Sequence, residues 1–329
     1  MITYIFLSIL FLAYFNGAND NFNGVATLWG SQVSDYTRAI TLATICTFLG
    51  SVASYYFASD LAVAFTQSGF VPDSLVSNSH FILSVVLGAG STIFLATILG
   101  LPVSSTHAII GGLIGAGYLA AGSELHFSIL GKHFFLPLLL SPILATALSY
   151  ITYQFLTLVP QWDPQEHHLI TSNDRTSLIN GAHHITAATI SFARGFNDTP
   201  KFAALLVLTP FLTPAFNTLL LASVVCIGGL FHANRVAETM SQKITPLTNV
   251  QGLTANAVNV ILVLLATTVG LPVSSTHVSV GSIFGIGLAA GTSDKKQIKN
   301  IVLSWLLTLP IAATISFFLY FFMNYPNKG

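Results

Sequence analysis

Long apolar runs fill most of this chain, and they leave it few ways to fold. They fall at about residues 39–57, 81–99, 134–158, 178–192, 253–269 and 301–323. A helix needs about 20 apolar residues to cross a bilayer. Within lipid every backbone polar group must find a partner inside its own segment, which makes helices the default. Only 7% of residues are charged, against about 25% in a soluble domain. The reading is an all-α polytopic membrane protein with about ten to twelve spans or half-spans. Formal net charge is zero, so nothing favours a nucleic-acid partner. The segment Met1–Phe15 lacks the basic region and cleavage site of a signal peptide and reads as a retained, broken helix. Cys46 and Cys226 lie inside apolar runs and read as free thiols. Lys295, Lys296 and Lys299 form the densest basic loop, which places it on the cytoplasmic side.

The chain is written twice. "GLPVSSTH" stands at Gly100–His107 and again, identically, at Gly270–His277. Each copy follows an apolar run ("TIFLATIL", "VLLATTV") and precedes a glycine-rich one. "GANDNFN" near the start has an echo in "GFNDTPK", so Asn19–Asp20 pairs with Asn197–Asp198. The offsets are 170 and 178 residues. Residues 63–66, "VAFT", resemble "VAET" at Val236–Thr239. Duplicated halves with polar interruptions in corresponding places point to a secondary transporter. The expected division is a first transport repeat at 1–160, a polar linker at 161–176 and a second repeat at 177–329. An odd number of crossings in each half would invert one repeat relative to the other. The linker holds Trp162, Asp163, Glu166, His167 and His168, and a solvated loop suits it better than a metal site.

The motifs carry the chemistry. Pro is at home in the first turn of a helix and Ser or Thr at its cap. Pro102–Thr106 and Pro272–Thr276 therefore read as re-entrant half-helix starts within the membrane. Each offers backbone N–H groups, a positive dipole end and three hydroxyls, which is an anion site. Two such starts facing one another would suit a tetrahedral oxyanion. Asp20 and Asp198 read as intramembrane carboxylates, and such residues are functional candidates by default. A helix broken across Asn16–Asn23 frees carbonyl oxygens, and these with amides and a carboxylate suit a hard cation such as sodium. A carboxylate beside an anion is repulsive in a low-dielectric site. A cation held between them removes the conflict and makes anion entry depend on cation entry. Asp20 and Asp198, where a carboxylate touches the anion directly, also favour phosphate over sulfate, because monohydrogen phosphate has a proton to donate to a carboxylate. Arg194 and Lys201 flank the second motif and read as partners of Asp198 or as interfacial.

"FNGANDNFNGVAT", "FARGFNDTPK", "RVAETMSQKIT" and the two "GLPVSSTH" copies together resemble the inorganic phosphate transporter (PiT) family. The resemblance runs from about Phe15 to Ala290. It implies two inverted repeats and sodium- or proton-coupled symport of inorganic phosphate. Some members carry a neutral metal–phosphate complex and one branch carries sulfate. By that resemblance Asp20, Ser104, Ser105, Thr106, Ser274, Ser275 and Thr276 surround phosphate. Asn19, Asp20, Asn23, Asn197 and Asp198 help hold the cation, with sodium as coupling ion, no other cofactor and no transition metal. The family also implies a homodimer. The chain departs from the family pattern at Asn256, in "QGLTANAVN", where many members carry Glu. It also lacks the large central domain of some relatives.

The remaining polar residues admit other readings. His107 and His277 could relay protons or hold the re-entrant turn, and the structural role is the simpler. His183 and His184 read as packing residues, and His80, His126, His133 and His232 as interfacial. Ser, His and Asp together are also the residue types of a hydrolase. Every candidate here comes twice, though, and Ser105 sits too close in sequence to His107 for a base to reach it. The expected location is a prokaryotic inner membrane.

Overall fold

The computed structural model describes residues 1–58, 70–158, 173–206, 212–271 and 273–324, and the described residues form helices and connecting turns with no strand. The principal elements are α1 (Ile2–Asp20), α2 (Ala26–Gly30), α3 (Tyr36–Phe57), α4 (Ser79–Ile98), α5 (Ser105–Ala121) and α6 (Leu136–Thr157). They continue as α7 (Asn173–Leu206), α8 (Pro214–His232), α9 (Asn234–Glu238), α10 (Asn249–Thr268), α11 (Ser275–Ala290) and α12 (Lys295–Asn324). Seven of these, α1, α3, α4, α6, α8, α10 and α12, are long and apolar enough to cross a membrane. The helices α5 and α11 are apolar but shorter, too short for a full crossing at 1.5 Å per residue. The protein is an all-helical integral membrane protein.

Side chains start several helices where the sequence supplies a capping residue. Asp35, Asn78 and Thr213 accept first-turn N–H groups of α3, α4 and α8. Thr248 and Gln251 form a reciprocal capping box on α10. Outward faces keep large apolar residues such as Leu139, Leu306 and Phe231 exposed, as a chain solvated by lipid requires.

The long helices pack in matched pairs. The contact of α1 with α4 has its counterpart in α7 with α10, and that of α5 with α12 in α11 with α6. The contact of α1 with α8 is matched by that of α7 with α3. Glycines allow these crossings. A Cβ on Gly17 would lie 1.9 Å from the Val225 carbonyl oxygen, and one on Gly228 would lie 1.9 Å from that of Tyr14. At the matching positions Gly195 faces the Thr47 carbonyl and Gly50 that of Phe192. Gly111 and Gly115 of α5 meet Leu309 and Ala313 of α12, as Gly281 and Gly285 of α11 meet Pro142 and Thr146 of α6. Lipid gives no hydrophobic drive between helices, so close backbone approach through small residues is what joins them.

Three local expectations change. The first Asn-Asp motif does not lie wholly in a break, because α1 stays helical through Asp20 and the chain turns only at Asn21–Val25. The second is no break at all, since α7 runs continuously through Asn197, Asp198 and Pro200. Pro102 precedes α5 rather than entering its first turn, for Ser104 is the cap and Ser105 the first helical residue. Residues 63–66, the linker residues 161–172 and Pro272 lie outside the described residues. Cys46 and Cys226 are free thiols.

Replacing Gly228 or Gly115 by Leu should lower the melting temperature of the detergent-purified protein, since overpacking a tight contact costs about 1–3 kcal/mol. Gly181→Ala, where an added Cβ meets nothing within 4 Å, should not. Unchanged melting of both Leu variants would remove the account of the crossings.

Candidate functional site

The two "GLPVSSTH" segments are built alike. Gly100 and Gly270 both hold φ at +68°, a conformation that a residue with a Cβ rarely adopts. The chain then turns and starts a helix, with Ser104 accepting the His107 backbone N–H at 3.2 Å and Ser274 accepting that of His277 at 3.2 Å. The other first-turn N–H groups of α5 and α11 have no acceptor within their own helix. All six hydroxyl residues, Ser104, Ser105, Thr106, Ser274, Ser275 and Thr276, are buried. The imidazoles of His107 and His277 lie 4.8 Å apart between ring centres, which sets the two helix starts against one another. Trp305 of α12 ties them further. Its indole lies 3.9 Å from the His277 ring and donates to the Pro102 carbonyl at 2.9 Å.

The Asn-Asp motifs hold these turns. Asn19 donates to Thr97 Oγ1 at 3.0 Å and to the Leu101 carbonyl at 3.1 Å, while its Oδ1 accepts the Val103 N–H at 3.0 Å. Asn197 accepts from Thr267 Oγ1 at 3.1 Å and donates to the Val273 carbonyl at 3.4 Å. A neutral amide both donates and accepts, so one side chain can satisfy both polarities of a loop that lacks helical bonding. Thr97 and Thr267 stand 170 residues apart, in the apolar runs before each octapeptide. Their place in the repeat was the available signal for them.

The carboxylates meet the hydroxyl segments across the sequence. Asp20 Oδ1 accepts from Thr276 Oγ1 at 2.6 Å and from Asn23 at 3.3 Å, and its Oδ2 accepts from Asn16 at 2.9 Å. Asn23 also donates to Thr276 Oγ1 at 3.2 Å. Asp198 Oδ2 accepts from Ser275 Oγ at 3.4 Å. Both carboxylates are buried. Asp20, Asn23, Asp198, Ser275 and Thr276 are thus gathered in one polar region. Ser104, Ser105 and Thr106 reach it through the paired histidines and the Asn19 clamp, with no direct bond to either carboxylate. Arg194 and Lys201 both turn to Asp198, at 3.7 Å and 2.8 Å. Arg194 also donates to Asn21, Thr47 and Asn16. Asn16 and Asn21 lie in the Asn-rich stretch that the sequence marks, but their tie to Arg194, like that of Thr47, depends on what packs against them.

Several buried atoms have no partner among the described residues, notably Asn23 Oδ1 and Thr106 Oγ1. A buried polar atom calls for a partner, and these two lie beside the Asp20 carboxylate and at the start of α5. Asn23 Oδ1 beside the Asp20 carboxylate is a hard-oxygen set that fits sodium. Thr106 Oγ1 at a helix start fits an anion. Asn256 is buried, with its amide nitrogen unpartnered among the described residues. His183 bridges Asn249 at 2.6 Å and Thr27 at 2.9 Å, a packing role.

An all-helical membrane protein whose buried helix starts meet buried carboxylates across its two halves has the build of a carrier. The comparisons agree. The profile of the phosphate transporter family matches residues 16–316, and the chain belongs to that family. A protein of Rhizobium meliloti named a probable low-affinity inorganic phosphate transporter is 29% identical, over 95% of this chain and 93% of its own. One of Bacillus subtilis with the same name is 28% identical, over 94% and 93%. The solved structure titled the sodium-dependent phosphate transporter superposes with a TM-score of 0.85 at 25% identity, covering 99% of both chains.

Replacing Asn19 by Ala should weaken phosphate binding and lower the melting temperature together. It strands the Val103 N–H and the Leu101 carbonyl, at about 1–3 kcal/mol for each group left unsatisfied in the interior, while Thr97 keeps its bond to the Ile93 carbonyl. Isothermal titration and thermal melting on one sample would check this. Intact phosphate affinity would show that the clamp does not shape the anion site.

Proposed function

We propose that the protein imports inorganic phosphate by cation symport, with sodium as the cation and alternating access as the mechanism. The observation that carries this reading is the 2.6 Å bond from Thr276 Oγ1 to Asp20. It places a carboxylate of the first half inside the anion-type helix start of the second. An anion entering that place needs a cation beside Asp20, and the unpartnered Asn23 Oδ1 supplies a second hard oxygen for it. Phosphate contacts Asp20, Ser104, Ser105, Thr106, Ser274, Ser275 and Thr276. The cation is held by Asn19, Asp20 and Asn23, with Asn197 and Asp198 as the matching set.

The halves, 1–160 and 177–329, act as two inverted repeats joined by the polar linker. The matched packing of the two halves supports this: α1 with α4 answers α7 with α10, and α5 with α12 answers α11 with α6. The transporter functions as a homodimer, on the family resemblance, in a prokaryotic inner membrane. The bacterial and archaeal relatives fit that location. The protein is a carrier rather than a hydrolase. Membership of the phosphate transporter family supports the carrier reading.

The test is radiolabelled phosphate uptake into proteoliposomes under a sodium or a proton gradient at fixed potential, with excess sulfate. Sodium-driven uptake untouched by sulfate is expected. Asp20→Asn should reduce it by about a hundredfold or more, the scale set by removing a group that binds a coupling charge. Uptake driven by protons alone would transfer the coupling to a proton. Sulfate uptake without phosphate uptake would overturn the substrate.

A further inference from the structure

The two Asn-Asp sites are not equivalent, and the difference is one of charge. Displacing the first motif by 178 residues puts Asn16 on Arg194, Asn19 on Asn197, Asp20 on Asp198 and Asn23 on Lys201. The contacts follow the same register. Asn16 donates to Asp20 from four residues before it, as Arg194 approaches Asp198. Asn23 donates to Asp20 Oδ1 from three residues after it, as Lys201 donates to Asp198 Oδ1. The Lys201 ammonium lies 2.8 Å from that carboxylate oxygen and 3.3 Å from the Val273 carbonyl. A carboxylate and a backbone carbonyl are the oxygen types that hold sodium in broken transport helices. In the first half the residue in the place of Lys201 is neutral, and its Oδ1 is buried without a partner.

We infer that Lys201 is a tethered substitute for a coupling cation. Its ammonium permanently fills the cation place at Asp198, and only the place at Asp20 loads an exchangeable cation. This rests on the symport reading above and sharpens it. The carrier couples phosphate to one cation fewer than a chain with neutral residues in both places. Permanent filling also keeps Asp198 neutralised throughout the cycle. Removing one partner of a buried ion pair leaves an uncompensated charge, and Asp198, within 3.7 Å of two cations, is never left so.

The experiment compares wild type with Lys201→Asn, which installs the residue of the matching position. Phosphate uptake and charge movement per phosphate are recorded on proteoliposomes over a sodium titration. Sodium-dependent thermal stabilisation of the purified protein is read in parallel and needs no turnover. Lys201→Asn should take up an additional sodium, seen as a steeper sodium dependence and one more sodium per phosphate. Unchanged sodium order and charge per phosphate would overturn the inference. Should Lys201→Asn fail to fold, the charge-neutral pair Asp198→Asn with Lys201→Met decides. It should keep the sodium order of wild type, and an order lower by one would show that the Asp198 place had been loading sodium. Failure of wild type to take up phosphate under any gradient would instead overturn the symport reading itself.

Discussion

Two uncharged amides hold open the polar interior on which everything else here depends. The turn from Leu101 to Ser104 lies inside the protein without helical hydrogen bonds, and a backbone in that condition is costly to bury. Asn19 donates to one of its carbonyls and accepts one of its N–H groups, while Asn197 donates to the corresponding turn. A charged side chain could satisfy only one polarity and would bring a field of its own. Asn197 shares the Val273 carbonyl with the Lys201 ammonium, and the helix starts of α5 and α11 keep their positive ends available for an anion.

Charge is then distributed unevenly around that neutral frame. Asp20 is surrounded by two amides and a hydroxyl, all of which donate without cancelling its charge. Asp198 is met by an ammonium and a guanidinium. Arg194 links the two regions, because its guanidinium also donates to Asn16, which in turn donates to Asp20. A site that holds an anion transiently must not be saturated with fixed cations, and a fixed carboxylate without compensation would exclude the anion. One compensated and one uncompensated carboxylate reconcile these requirements and leave room for a mobile cation to decide when the anion enters.

The packing that supports the site is equally paired. Reciprocal glycine crossings lock α1 to α8 and α3 to α7, so each half is built partly from contacts with the other. The Asn-Asp motifs sit at these crossings: Gly17 lies within α1 just before Asn19, and Gly195 within α7 just before Asn197. The amides are therefore placed by some of the tightest backbone contacts in the molecule. Rigid elements position such groups better than loops do.

Much of this was legible in the residues alone. Apolar runs and scarce charge dictated membrane helices, because only a helix satisfies its own backbone in lipid. The identical octapeptides and the echoed Asn-Asp pair marked the duplicated hydroxyl and carboxylate residues, and serine beside proline signalled the helix starts. The conformation around the Asn-Asp motifs was not legible. Asn, Gly and Asp favour interruption locally, yet α7 runs through the second motif and α1 through most of the first, because packing at Gly17 and Gly195 outweighs that preference. Nor could the sequence tell that Thr276 reaches Asp20 across 256 positions, that His107 lies beside His277, or that Lys201 turns inward to Asp198 rather than outward to the interface. The sequence by itself determined which chemical groups enter the membrane and that they do so twice. Only the tertiary structure decided which group faces which, because hydrogen bonds and charge pairing act over about 3 Å and depend on how distant helices pack.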